Sequence, residues 1–382
     1  MPQLDSPSKP QQTVVVVGGG YAGTVAFNQL SRRLDENTHL VLVTARPYFV
    51  HLPAAARLVI SKSEVTERGF VDKVLWAHTS RFNVGNRRTV YGKVVGITDG
   101  EEEKYVVLES GEKVEYTYLV LAPGSRWEGP LDFPDTKEGT VKRLHEWYEK
   151  FEKAEDIVLV GGGGIAFEYA GEFKDEWPDK NITVVHSREL LLNDAYPDRW
   201  RRQVVASLEK RGVNVILGDR IESLEPMDGK VTTLLGKQIV ADLVIPTRGP
   251  RPNTEFIASS LGLYAVTSDG HVKVKPTLQL ISHPHIFAAG DIVDWKEQHS
   301  ASKAVGHAIP IIQNVLTLLA NPSANGLRTY TGRPDSLTLT NGRNGGTTYI
   351  GRLWGLTFGD WVTSRKGSRH LYVPMVKGKM NL

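Results

Sequence analysis

Residues 13–23 read TVVVVGGGYAG, and residues 156–168 read DIVLVGGGGIAFE. Each is a run of β-branched and aliphatic residues, which suits a strand buried on both faces. Glycines follow at once, and then a helical pattern rich in Ala, Leu and Phe. In the first, Gly18, Gly20 and Gly23 hold the G-x-G-x-x-G spacing. The first glycine allows the tight turn off the strand, the second lets backbone approach a pyrophosphate, and the third lets helix and strand pack closely. The phosphates are expected against the free N–H groups at the helix N-terminus, around Tyr21 and Ala22. In the second, Gly161 and Gly163 keep the spacing, Gly164 and Ile165 open the helix, and Ala166 replaces the third glycine. One such motif is weak evidence; two in matching contexts point to two related dinucleotide-binding domains.

Working outward, each unit continues into a second short strand, Leu40–Thr44 and Ile182–Ser187, then into turn-rich alternating segments that read as a β-meander. Each closes on a similar phrase, YLVLAPG at Tyr118–Gly124 and DLVIPTRG at Asp242–Gly249. The segment Ile286–Asp291 (IFAAGD) and the helical stretch Ala301–Leu319 fit no third domain, so they are read as the chain returning to complete the first. The expected fold is α/β: two Rossmann-like domains, the second inserted in the first, plus a small C-terminal α+β domain. The expected division is a disordered tail over 1–12, a flavin-binding domain over 13–135 and 272–330, a nicotinamide-binding domain over 136–271, and the C-terminal domain over 331–382.

Bulk properties fit this reading. At 382 residues the chain suits two domains plus an appendage. Its 40% hydrophobic and 23% charged composition is that of a soluble globular protein, and a net charge of +3 gives no case for a dedicated nucleic-acid binder. There are no cysteines, which excludes a disulfide framework, a zinc–thiolate site, a thiol nucleophile and a redox dithiol. No metal site is expected. The polar N-terminus MPQLDSPSKPQQ lacks an apolar targeting core, and Pro2 stands where N-myristoylation needs Gly. No apolar run is read as reaching the roughly 20 residues that span a bilayer. The expectation is therefore a cytoplasmic protein, peripheral to membranes at most, and a monomer or homodimer.

Two positions depart from the usual dinucleotide pattern. The first unit's second strand ends at Thr44, followed by Arg46, where an acid usually grips the adenosine ribose. Arg46 reads equally as a surface cation or as part of the cofactor site. The second unit's strand ends His186-Ser187-Arg188, with no carboxylate to repel a 2′-phosphate, which favours NADPH or permits it beside NADH.

The order GGGYAG, LAPGS, GGGGIAFE, TRGPRPN and IFAAGD resembles the FAD/NAD(P) pyridine-nucleotide oxidoreductases across nearly the whole chain. Within that superfamily, the segment from Leu40 and the C-terminal SLTLTNGRNGGTTYIGRL resemble the apoptosis-inducing-factor-like and ferroptosis-suppressor-like branch, of fungal type. The type II NADH dehydrogenases are more distant kin. The resemblance implies FAD as cofactor and NADPH or NADH as co-substrate. It places Asp291 on the FAD ribitol with Gly290 making room, and Ala122, Pro123 and Gly124 near the adenosine end. It also puts Pro53 and Arg57 against FAD, the Val94 backbone at the adenine, and Gly249 and Pro250 where the reduced nicotinamide packs. Glu168 falls near where nicotinamide meets flavin; the alternative is a helix N-terminal charge complementing the dipole.

In the disulfide reductases of this superfamily a Cys pair lies just after the second strand. The corresponding region here, His51 to Ala56, holds no sulfur. The relatives reduce quinones, so the implied reaction is NAD(P)H:quinone oxidoreduction to a quinone or other small planar acceptor, with oxygen as the leak. His307 and Lys366 are the candidate proton donors, although a lone histidine on such a helix is more often a packed structural residue. The aromatic and basic segment Tyr349–Val376 reads either as a membrane-docking surface or as a small domain with its aromatics packed inward. Competing functions are a redox-sensing cell-death flavoprotein of slow turnover and a biosynthetic oxidoreductase acting on a specialised metabolite.

Overall fold

The computed structural model describes residues 11–61, 71–72, 74–78 and 84–380. Residues 1–10 of the expected tail lie outside the described residues. Gln12 does not belong to a tail, because it pairs with Thr38 as the first residue of a strand.

The first glycine loop leaves the strand Gln12–Val17, the centre of a five-stranded sheet. The order is Ile286–Ala288, Tyr118–Leu121, Gln12–Val17, Thr38–Thr44 and Arg87–Tyr91, all parallel. Val14 to Val17 are buried on both faces, which is why the sequence shows an unbroken apolar run rather than an alternation. A separate antiparallel meander comes next in the chain: Val94–Asp99, Lys104–Leu108 and Lys113–Glu115. The second sheet is parallel, in the order Asn214–Leu217, Asn181–His186, Asp156–Val160 and Leu243–Pro246.

The returning strand Ile286–Ala288 pairs with Tyr118–Leu121, so the second sheet is inserted within the first domain's chain. Where the chain leaves and re-enters, Ser125–Arg126 pairs antiparallel with Arg251–Pro252. This strap holds the end of one nucleotide unit against the end of the other.

The helix Ala301–Ala320 is long and apolar enough to cross a membrane, contrary to the sequence expectation that no segment qualifies. It is a core helix: it packs along Tyr21–Ser31 and buries Ala304, Ala308, Ile311, Ile312 and Val315. Ser300 caps its N-terminus by accepting from the Lys303 N–H.

The C-terminal domain is a three-stranded antiparallel sheet, Ser336–Thr340, Gly346–Ile350 and Leu356–Phe358. A helical run through Asp360–Thr363 and the π-turn Ser364–Ser368 comes after it, then the helix Val373–Met380. Tyr349 packs inward against Tyr196 and Trp200, and the Trp200 indole donates to Thr347 Oγ1 at 2.8 Å. On the other side, Asn28 donates to the Met380 carbonyl at 2.6 Å. The domain therefore touches both nucleotide units and can shape the space between them.

Candidate active site

The first glycine loop has the shape that a pyrophosphate needs. Gly18 has φ +105°, and a Cβ there would lie 2.1 Å from the Ala122 carbonyl oxygen. A Cβ on Gly23 would lie 1.9 Å from the Gly18 carbonyl oxygen, so the helix sits as close to the loop as glycine allows. At Gly20 a Cβ would meet nothing within 4 Å, which leaves that face open to a ligand. The helix Tyr21–Ser31 begins at Gly20 with no side-chain cap and no acid in its first turn. Its leading N–H groups and dipole are thus directed at an anion rather than spent on the protein. These features fit the diphosphate of FAD.

The neighbouring residues sort themselves less simply. Thr44 donates its hydroxyl to the Arg46 carbonyl, and Arg46 donates to the Phe133 carbonyl at 2.7 Å and pairs with Asp135 at 3.6 Å. Arg46 is therefore a strut to the segment before the second domain, and the structure does not direct it at a cofactor. A residue that sequence reading missed, His78, stands beside the glycine loop and Thr44. A Cβ on Gly19 would lie 2.5 Å from His78 Nε2 and 2.9 Å from Thr44 Oγ1. Burial lowers the His78 pKa to about 4, so the ring is neutral. Val94 opens the meander just beyond Tyr91, whose strand pairs with Thr44. Ala122, Pro123 and Gly124 face the glycine loop from the closing strand, with the Asn253 N–H donating to the Gly124 carbonyl at 2.9 Å.

Asp291 lies in a short 3-10 turn after Ile286–Ala288 and accepts from Ser125 Oγ at 3.0 Å. Gly290, at φ +78°, makes that turn, and its N–H donates to His307 Nδ1 at 3.1 Å. Because Nδ1 accepts, the ring proton sits on Nε2, which donates to Glu297 Oε1 at 3.0 Å. Glu297 also accepts from the Tyr330 hydroxyl at 3.0 Å. His307 is fully buried, burial pushes its pKa down, and both nitrogens are engaged. That geometry favours the structural reading of His307 over the proton-donor one, with His307 bracing the Asp291 turn.

The second loop repeats the first with one substitution. A Cβ on Gly161 would lie 2.7 Å from Thr247 backbone atoms, and Thr247 Oγ1 donates to the Gly161 carbonyl at 2.7 Å. Gly163 precedes the helix Gly164–Glu176, again with no side-chain cap and no acid in the first turn. His186 does not face solvent as a phosphate ligand would. Its Nδ1 accepts from the Gly162 N–H at 3.0 Å and its Nε2 approaches the Leu192 carbonyl at 3.3 Å. This leaves Ser187 and Arg188, both exposed, as the groups able to meet the adenosine ribose or a 2′-phosphate. A cleft lined by Trp127, Leu131, Ile165, Tyr169, Thr247 and Gly249 runs beside this loop, next to Pro250. The Tyr169 hydroxyl is buried there with no hydrogen-bond partner among the described residues, as suits a donor kept for a ligand.

Between the two units, the helix Leu52–Ile60 packs on Gly164–Glu176. His51 precedes the first helix and Pro53 occupies its first turn, where a missing N–H costs nothing. His51 Nε2 donates to the Leu371 carbonyl at 2.6 Å, so Nδ1 accepts from the Tyr21 hydroxyl at 2.7 Å. Arg57 forms a fork with Glu172, at 2.9 and 2.7 Å, with both side chains buried. Glu172 had no signal in the sequence; only helix packing reveals it.

One turn earlier, Glu168 Oε1 accepts from both the N–H and the hydroxyl of Thr340, each at 3.3 Å. The C-terminal domain thus reaches the second glycine helix directly. Burial raises the Glu168 carboxyl to about 7, against the lowering effect of the Thr340 bonds. Lys366 lies on the π-turn that packs beside the Ser336–Thr340 strand, exposed and without an ion pair among the described residues.

The comparisons agree with this geometry. Residues 12–308 match the family model described as pyridine nucleotide-disulphide oxidoreductase. The chain is 37% identical over 307 residues to FAD-dependent oxidoreductase FVFD30 of Flammulina velutipes, covering 80% of this chain and 95% of that one. It is 33% identical over 371 residues to ferroptosis suppressor protein 1 of Taeniopygia guttata, covering 94% and 93%. The solved structure of the sulfide:quinone oxidoreductase from Aquifex aeolicus superposes with a TM-score of 0.76 at 19% identity over 97% of this chain and 91% of that one, a likeness of fold alone. The chain belongs to the pyridine nucleotide-disulphide oxidoreductase family and is an FAD-dependent, NAD(P)H-oxidising flavoenzyme.

Proposed function

We propose that this enzyme passes electrons from NADPH or NADH, by way of FAD, to a quinone-type acceptor that diffuses in. The observation that carries this reading is the cysteine-free chain. The region that holds a dithiol in disulfide reductases presents His51, Pro53 and three alanines, Ala54 to Ala56. No dithiol relay exists on the chain, so electrons leave the flavin directly for an acceptor that diffuses in. The resemblance to quinone-reducing relatives makes a quinone the acceptor that fits best.

FAD, when bound, supplies the hydride-accepting chemistry; the chain supplies placement. The uncapped helix at Gly20 and the Asp291 carboxylate hold it. The Arg57–Glu172 fork ties the helix on its side to the helix that begins the nicotinamide site, fixing their separation. Glu168, clamped by Thr340, orients the nicotinamide face, and Ile165, Tyr169 and Gly249 wall the cleft. With its carboxyl near 7, Glu168 can also exchange a proton at neutral pH, so His307 is not needed for that purpose. Exposed Arg188 supports use of NADPH beside NADH.

The test is NADH and NADPH oxidation by the purified yellow protein, with and without a short-chain ubiquinone analogue. Turnover rising well above the oxygen background is the expected result. Rapid flavin bleaching with no effect of quinone would remove the quinone reading and favour a slow redox sensor.

A further inference from the structure

The C-terminal domain carries a charge and aromatic pattern that the redox site does not use. Residues 351–380 contain six basic side chains, Arg352, Arg365, Lys366, Arg369, Lys377 and Lys379, against a single acid, Asp360. All six are exposed. This segment therefore carries +5 while the whole chain carries +3, so the remainder is net negative. Asp360 is partly spent, since its Oδ1 accepts from the Gly346 N–H at 2.8 Å.

Two tryptophans stand in solvent within the same segment. Trp354 forms the tip of the hairpin between Gly346–Ile350 and Leu356–Phe358, at φ +51° and 99% exposed. Trp361 is 69% exposed, with the Arg365 guanidinium 4.6 Å from its ring centre. Trp361, Arg365 and Arg369 recur every four residues, which places them on one stripe of the helical run. Tyr349 points inward to Trp200, so by strand alternation its neighbour Ile350 and the paired Leu356 face the other way, and Leu356 is 48% exposed.

We propose that this surface docks the enzyme on an anionic phospholipid bilayer. Indole rings set among cationic side chains match the headgroup layer, where the ring body is buried, its N–H hydrated, and the cations meet phosphate and carboxylate. The buried core of a protein–protein interface is depleted of charge, whereas here the exposed indoles stand among six exposed cations, one of them against the Trp361 ring. A bilayer interface solvates such groups one at a time. The docking is independent of which acceptor the enzyme uses.

The test is flotation of the full-length flavoprotein with phosphatidylcholine vesicles, with and without phosphatidylserine. Binding is expected only with phosphatidylserine, and is expected to weaken at high salt. Each basic side chain near such a surface is worth about fivefold, so Arg365→Glu with Arg369→Glu should lower binding by roughly 25-fold or more. Trp354→Ala with Trp361→Ala should lower it by about tenfold or more. Turnover with a water-soluble quinone should stay within about twofold in both variants, because these residues touch neither glycine loop. Equal binding by the wild type and both variants would overturn the inference. So would capture of the wild type by polynucleotide but not by vesicles, or a parallel fall in soluble-quinone turnover.

Discussion

The two nucleotide units share a glycine loop and differ in how firmly it is closed. In the first, a third glycine brings the helix so near that a Cβ on Gly23 would stand 1.9 Å from the Gly18 carbonyl. In the second, Ala166 occupies the same place, buried, with a Cβ that the loop accommodates. The first sheet gains the returning strand Ile286–Ala288, which delivers Asp291 onto the loop with Ser125 beneath it. In the second sheet the corresponding edge is Leu243–Pro246, with no added strand, and the chain runs on from it through Gly249 into the strap to the first domain. A site with an extra anchor suits a resident cofactor. A more open one suits a co-substrate that must leave after each turnover.

The largest expected effect breaks this comparison at the third glycine. Gly23→Ala should cost roughly 3 kcal/mol or more through backbone overlap, and the protein should purify without flavin. The mirror change, Ala166→Gly, should cost only about 1 kcal/mol of helix stability and leave flavin content unchanged. Absorbance spectra and thermal melts of both variants check the pair; flavin retained by Gly23→Ala would show that the loops are equivalent.

Next comes Asp291→Ala, which removes a charged hydrogen-bond acceptor and should weaken FAD binding about ten- to a hundredfold. Equilibrium dialysis measures it, and stoichiometric FAD after dilution would remove Asp291 from the site. NADPH affinity should stay unchanged, which separates the two units.

Glu168 comes third. Its carboxyl titrates near 7 in the folded chain, against the ordinary value of 4.5. Between those values the folded protein holds a proton that the unfolded chain has already released. The contribution of Glu168 to stability should therefore fall as pH rises from about 4.5 to about 7, by on the order of 2 kcal/mol, while buried histidines such as His78 and His307, whose pKa values are lowered, push the other way. Denaturant titrations across that window should show the wild type losing stability relative to Glu168→Gln by that amount, since the histidine contributions are common to both. A stability difference that does not change with pH would locate the buried proton elsewhere.

The smallest effect is expected at Arg188→Ala, a roughly fivefold shift in the NADPH-to-NADH ratio of kcat/KM toward NADH. No shift would mean that the exposed end of the second loop does not read the 2′-position.

The same comparison shows which parts of the molecule were legible in the sequence. Strand–glycine–helix grammar is local, so both loops, the closing strands and IFAAGD could be read in order from residues a few positions apart. The partners that complete the site are distant in sequence. Glu172 lies 115 positions from Arg57, Thr340 is 172 from Glu168, and Leu371 is 320 from His51. No periodicity records such meetings; packing of the helix Leu52–Ile60 on Gly164–Glu176 makes the first, and docking of the C-terminal domain makes the other two. Thr44, Arg46 and His186 show what a motif position does not reveal, since each stands where the motif expects it and also bonds backbone groups of the protein. His78 stands beside Gly19 and Thr44 with no motif at all.

The most direct test of the central claim is anaerobic rapid mixing of the NADPH-reduced enzyme with a short-chain ubiquinone analogue. Direct transfer predicts that the yellow oxidised spectrum returns at a rate that rises with quinone concentration and outpaces the same mixing with air-saturated buffer. A spectrum that recovers no faster with quinone than with oxygen would contradict direct transfer to a diffusing quinone.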